Sequence, residues 1–194
     1  RTSVYRATIE GSYGVTQRFP EDLGLALGRQ RFGKGVGVSR TDIVVGVRGN
    51  ENLGRIEVRR QDGSDTGESI ARIDDPWAQP FLSPFPDDMY VVGDLILATK
   101  EGPAGDPLVG VWRRDPAGDS WQLEAEFSRP GNDLSERFGL SVALADDRVA
   151  IASGCLGGIP ACTTVLYVFE PIESSPGNWF EAGRIPIELE FGRT

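Results

Sequence analysis

An all-β fold of repeated four-stranded sheets is what this sequence predicts, and three observations carry the prediction. Short apolar runs alternate with turns rich in Gly and Pro, 25 and 13 of the 194 residues, a composition that suits many strands joined by many loops. No helical periodicity of useful length competes with the two-residue alternation. The chain also repeats itself: FGKGVGVSRTDIVVGV at 32–47 matches FGLSVALADDRVAIAS at 138–153 column for column. Phe32 and Phe138 stand 106 residues apart, twice 53, and Phe191-Gly192 follows 53 beyond Phe138. That period places a further copy near residue 85, where PFPDDMYVVGDLILAT at 84–99 carries Pro84-Phe85 in place of Phe-Gly.

Each copy divides into four strands. The first alternates apolar residues, Val36 and Val38 in one copy, Tyr90 alone in the weakest, Val142 and Leu144 in another; period two marks a strand with one buried face. A tight turn follows, SRTD, VVGD or ADDR. The second strand is a near-continuous apolar run ending in a small residue: Ile43 to Gly46, Leu95 to Ala98, Val149 to Ala152. Such a run suits a strand covered on both faces, where backbones approach closely. A Gly-rich loop leads to an alternating third strand, RIEVRR, LVGVWRR or VLYVFE, and TSVYRA at 2–7 has the same form. The fourth sets an aromatic six residues before a large apolar residue: Tyr13 to Phe19, Trp121 to Phe127, Trp179 to Ile185. The copy ending at Ile73 has Gly67 in the aromatic position.

Four antiparallel strands per 53 residues, repeated, is the pattern of β-propeller blades. One four-stranded sheet cannot hide two apolar faces alone, so neighbouring blades hide them. Residues 1–31 supply strands three and four of a first blade; 32–83, 84–137 and 138–190 are whole blades, and 191–194 opens another. The expectation is therefore about three and a half blades, an arc or part of a larger ring such as a seven-bladed one. An arc leaves sheet faces and edges uncovered. Further blades from another segment, a second copy, or a neighbour in a large assembly would cover them. A β-sandwich is the competing fold, but it requires no constant repeat length.

The charge balance narrows the partners. A net charge of −9 argues against nucleic acid or an anionic membrane surface, since both demand a basic footprint. No apolar run approaches the length of a membrane span. Cys155 and Cys162, seven apart in a Gly-rich loop between two apolar strands, are close enough in sequence for a disulfide. A bridge there would indicate an oxidising compartment; two free thiols are the alternative. With no His and no second Cys pair, a zinc site has too few ligands.

At this point the residues resemble a known family. RFGLSVALADDRVAIAS, VLYVFEP and NWFEAGRI look like FG-GAP repeats, the blades of the β-propeller in integrin alpha chains and in many bacterial extracellular proteins. The resemblance covers essentially the whole chain, and it implies an extracellular or cell-surface protein engaged in adhesion or protein binding. Many such repeats hold calcium between strands one and two, on carboxylates at alternating positions. Here the turns are too short to wrap an ion, so the resemblance is to a calcium-free variant and no cofactor is expected. Asp146-Asp147 reads as a pair of turn residues, and the acidic loop QDGSDTGES at 61–69 as solvated.

Other motifs dissolve on inspection. Gly28 to Lys34 fits a phosphate loop, but Gly35 stands where Ser or Thr is needed, and a strand follows instead of a helix. Without His there is no nucleophile–His pairing. The adjacent acid pairs Asp74-Asp75, Asp87-Asp88 and Asp146-Asp147 diverge on extended backbone, whereas glycoside hydrolysis needs two carboxyls held roughly 5–10 Å apart in a cleft. The expected function is thus a non-catalytic scaffold binding protein partners through the loops after strands two and four. Its candidate contacts are Arg48, Asn50, Asp74, Asp75, Trp77, Phe81, Lys100 and Asp133. Trp77 and Phe81 are either exposed anchors or rings packed on the neighbouring blade. A structural tile of a large extracellular assembly, and a hydrolase using loop carboxylates, are the alternative functions.

Overall fold

The computed structural model describes residues 2–7, 13–19, 31–39, 41–48, 54–60, 69–77, 85–102, 107–128, 136–145, 147–155, 164–175 and 177–187. All regular structure among them is β-strand. Strands β1 (Thr2–Ala7) and β2 (Tyr13–Phe19) pair with each other. Three four-stranded sheets follow in chain order. The first holds β3 (Arg31–Val38), β4 (Asp42–Arg48), β5 (Gly54–Arg60) and β6 (Ser69–Asp74); the second β7 (Met89–Val92), β8 (Leu95–Glu101), β9 (Pro107–Arg114) and β10 (Trp121–Phe127). The third holds β11 (Glu136–Ala145), β12 (Arg148–Cys155), β13 (Thr164–Pro171) and β14 (Trp179–Ile187). Every pairing is antiparallel between consecutive strands.

The turns set a strict register. Strands β4, β8 and β12 begin at Asp42, Leu95 and Arg148, each 53 residues after the last. Val92 faces Leu95 and Ala145 faces Arg148 across their turns, while in the first sheet Ser39 N donates to Asp42 O at 2.9 Å. Ile43 therefore corresponds to Ile96 and Val149, and Val44 to Leu97 and Ala150. This corrects the alignment of Ile43 with Leu95 by one residue, and it puts Phe85-Pro86, not Pro84-Phe85, in the Phe-Gly position. The reason is physical: Leu95 to Ala98 is buried on both faces, so no alternation inside the run reveals its phase. Pairing across the turn decides it.

With that register, the second sheet turns opposite faces to the first and the third. The first sheet presents Val44, Ile56, Val58 and Ile73 to Ile96, Ala98 and Trp112 of the second. The second presents the corresponding Leu97, Val109, Val111 and Phe127 to Val149, Ile151, Tyr167 and Phe169 of the third. These side chains are buried in two separate clusters, each fully buried aliphatic contributing roughly 1.5–3 kcal/mol. The first strands β3, β7 and β11 adjoin in succession. Phe85 and Phe138, equivalent repeat openers, are both 0% exposed, one in each cluster.

Local chemistry explains the two openers. In β11 the register shifts between Phe138 and Ser141, where Gly139 has φ +82°, a conformation side-chain-bearing residues rarely adopt. The middle copy has Pro86 there instead, and its first strand starts only at Met89, four residues long; proline has no N–H to give the ladder.

Candidate functional site

Three of the expected contacts converge. Asp75 follows the end of β6, and Lys100 lies near the end of β8. Lys100, fully buried, donates from Nζ to Asp75 Oδ2 at 2.5 Å and to the Trp77 carbonyl at 3.2 Å. The other Asp75 oxygen accepts from Trp77 N at 2.9 Å, closing an Asx turn. The Trp77 ring stands edge-on to Phe85 and Trp112, both with centroids 5.8 Å away, and its indole N–H donates to Glu126. This assembly fills the interface between the first and second sheets. Trp77 therefore packs on the neighbouring sheet, the second of the two readings its sequence allowed.

Asp74 is separated from its neighbour by the alternation of the strand. It is exposed and accepts from Arg72 Nε at 2.6 Å, while Asp75 points inward. Arg48 ends β4, but its side chain lies outside the described residues, as do Asn50, Phe81 and Asp133. The same holds for Cys162 and for the side chain of Cys155 at the end of β12.

A second constellation, at the opposite end of the strands, escaped the sequence reading. Arg114 closes β9; its Nη1 donates to Asp42 Oδ2 at 2.7 Å and its Nη2 to Asp119 Oδ1 at 2.6 Å. Arg60 of β5 reaches the same Asp119, 2.8 Å from each oxygen. The network ties the end of the first sheet to the β9–β10 hairpin of the second. Its hydrogen bond to Asp119 and the charge of Asp42 raise the Arg114 pKa above the usual guanidinium value, against the opposing effect of burial. The hydrogen bond from Arg114, and then that from Arg60, hold the exposed Asp119 carboxyl below its usual range. Asp42 is 1% exposed, and its second oxygen, Oδ1, has no hydrogen-bond partner.

Beside this network lies an open cavity of about 420 Å³ lined by Asp94, Arg114, Asp119 and the turn from Asp115 to Gly118. The turn is held by Asp115, whose Oδ1 accepts from Ala117 N at 2.8 Å and whose N donates to Ser120 O at 2.9 Å. The available sequence signal was paired: arginines end strand three in both sheets, and acids stand in the facing turns. Among the described residues, no cluster of three or more Cys, Asp or Glu is arranged to hold a metal ion.

Compared with models of known protein families and with curated protein sequences, the chain matches none.

Proposed function

We propose that this chain is an arc of a β-propeller acting as a non-catalytic, exported scaffold for protein partners, through the loops after the second and fourth strands. One observation carries the reading: equivalent faces meet at 53-residue steps, one face of each sheet on the opposite face of the next, with first strands adjoining. Blades set around an axis stack in this way, whereas the two sheets of a sandwich meet only by their inner faces. The likeness of the Phe-Gly openers and of VLYVF to FG-GAP repeats supports the same reading, as do short turns that leave no room for calcium. The net charge of −9 favours a partner with a basic surface.

The test is binding of the full chain to a panel of immobilised secreted proteins, compared with variants at its two ends. Asn50→Arg with Asp133→Arg is expected to abolish a signal that Asp147→Arg leaves intact. Loss with Asp147→Arg instead would move the contact surface to the opposite end. Turnover of a glycoside panel that disappears in Asp74→Asn would replace the scaffold with a hydrolase.

A further inference from the structure

Among the described residues, the face of the third sheet that looks away from the second is uncovered. Ile185 and Phe180 on it are 53% and 46% exposed, Leu166 and Val168 are half-buried, and a Cβ added at Gly183 would meet nothing. Apolar side chains gathered on one exposed sheet face mark a docking surface. Its make-up is not that of the stacking faces. At 53-residue spacing, Ala143, Ala145 and Ala150 stand where the second sheet turns Tyr90, Val92 and Leu97 toward the third. By strand pairing, Phe180 takes the place of Gln122, which is polar and exposed.

Bulk on this face is divided by strand: β13 and β14 carry the large side chains, β11 and β12 the small ones. The register sets them in rows across the sheet. One row runs Ser141, Ala152, Leu166, Ile185, and the next Ala143, Ala150, Val168, Gly183. The last pairs Ala145 with Arg148 and Glu170 with Phe180, and Arg148 Nε donates to Glu170 Oε1 at 2.8 Å.

Such a face complements itself. Turning a second copy by half a revolution about an axis along the strands, between β12 and β13, lays β11 on the partner's β14 and β12 on the partner's β13. Ser141 then meets the partner's Ile185, Ala152 the partner's Leu166, Ala150 the partner's Val168 and Ala145 the partner's Phe180. Arg148 meets the partner's Glu170. Every large apolar side chain falls on a small one and each charge on its opposite, the condition for a self-complementary, two-fold interface. A copy stacked head-to-tail has no seat, because the first sheet's opposite face, with Ile43, Val45 and Val47, is 0% exposed.

We propose that this face docks a second copy of the chain, third sheet on third sheet, in a two-fold dimer. The proposal rests on the stacked-sheet part of the reading above and on nothing about the ligand of the loops. Four strands at ~4.8 Å and five residues at ~3.3 Å make a face of about 15–20 Å each way. That is small for a specific interface, so a dissociation constant of roughly 10–500 μM is expected.

Sedimentation equilibrium of the full chain up to millimolar concentration tests it. The wild type is expected to dimerise, and Ala143→Arg, at an exposed position, to weaken the dimer at least about tenfold with an unchanged urea midpoint. Arg148→Glu and Glu170→Arg each set like charges against like and are expected to be monomeric alone. An equimolar mixture of the two restores dimers, because every contact between the copies is again opposite in sign. A monomeric wild type overturns the proposal, as does a dimer indifferent to Ala143→Arg or a mixture that stays monomeric. None of these substitutions lies in the loops after the second and fourth strands, so this proposal and the partner-binding reading fail separately.

Discussion

Lys100 occupies a position that is Val47 in the first sheet and Ser153 in the third, so the stack itself does not require a charge there. Its ammonium is withdrawn from water and answered by Asp75 and the Trp77 carbonyl. Removing one partner of such a pair leaves an uncompensated buried charge and costs about 3–5 kcal/mol, whereas replacing both by apolar groups is often neutral or better. Lys100→Met is therefore expected to lower the urea midpoint sharply, and Asp75→Leu with Lys100→Met to restore most of it. If the single variant proves as stable as the double, the pair is not what holds the 75–77 turn. The sequence places Asp75 in the loop after strand four, where it lies, but Lys100 in the loop after strand two, whereas it is the penultimate residue of β8. Their burial was not legible there, because a charged residue next to a loop ordinarily stays in water, and only the pairing register turns Lys100 inward.

At the scale of the element, the β9–β10 hairpin is the other tie between the first two sheets, and its dependence on pH follows from Asp119. The carboxyl is held below its unfolded pKa by Arg114 and Arg60, so its stabilising effect is fully present above the unfolded value, about 3.9. It is lost as pH falls through the lower folded value. Melting temperatures of the wild type and Asp119→Asn are expected to differ at pH 7 and to converge below about pH 4. A gap that stays constant into acid would mean that packing, not charge, is what the substitution removes. Strand existence was readable in the sequence, down to β10 running from Trp121 to Phe127, because alternation and turn residues act locally. The phase of the middle copy was not, since a run buried on both faces has no polar side to mark it. The Arg60–Asp119–Arg114 bridge was hidden for a related reason: its members are brought together by the stacking of two sheets, which no local pattern records.

At the scale of the whole molecule, the buried clusters among the described residues join the first sheet to the second and the second to the third, so stability is expected to divide into nearest-neighbour terms. Phe85 and Phe138 allow a direct comparison, being equivalent residues at 0% exposure in different interfaces. Truncating either to Ala costs about 3–5 kcal/mol in cavity and lost transfer energy, but the loss falls in different places. Phe138→Ala weakens the junction of the second and third sheets, and Phe180 and Ile185 on the third sheet's other face are exposed, so among the described residues little else holds it. Amide hydrogen exchange is expected to accelerate across β11–β14 while the interior of β3–β6 keeps its protection. Phe85→Ala should reverse the pattern, freeing β3–β6 and sparing the junction of β7–β10 with β11–β14. Uniform acceleration over all three sheets in both variants would show one cooperative core in place of a stack, and with it the argument from equivalent faces would lose its energetic meaning.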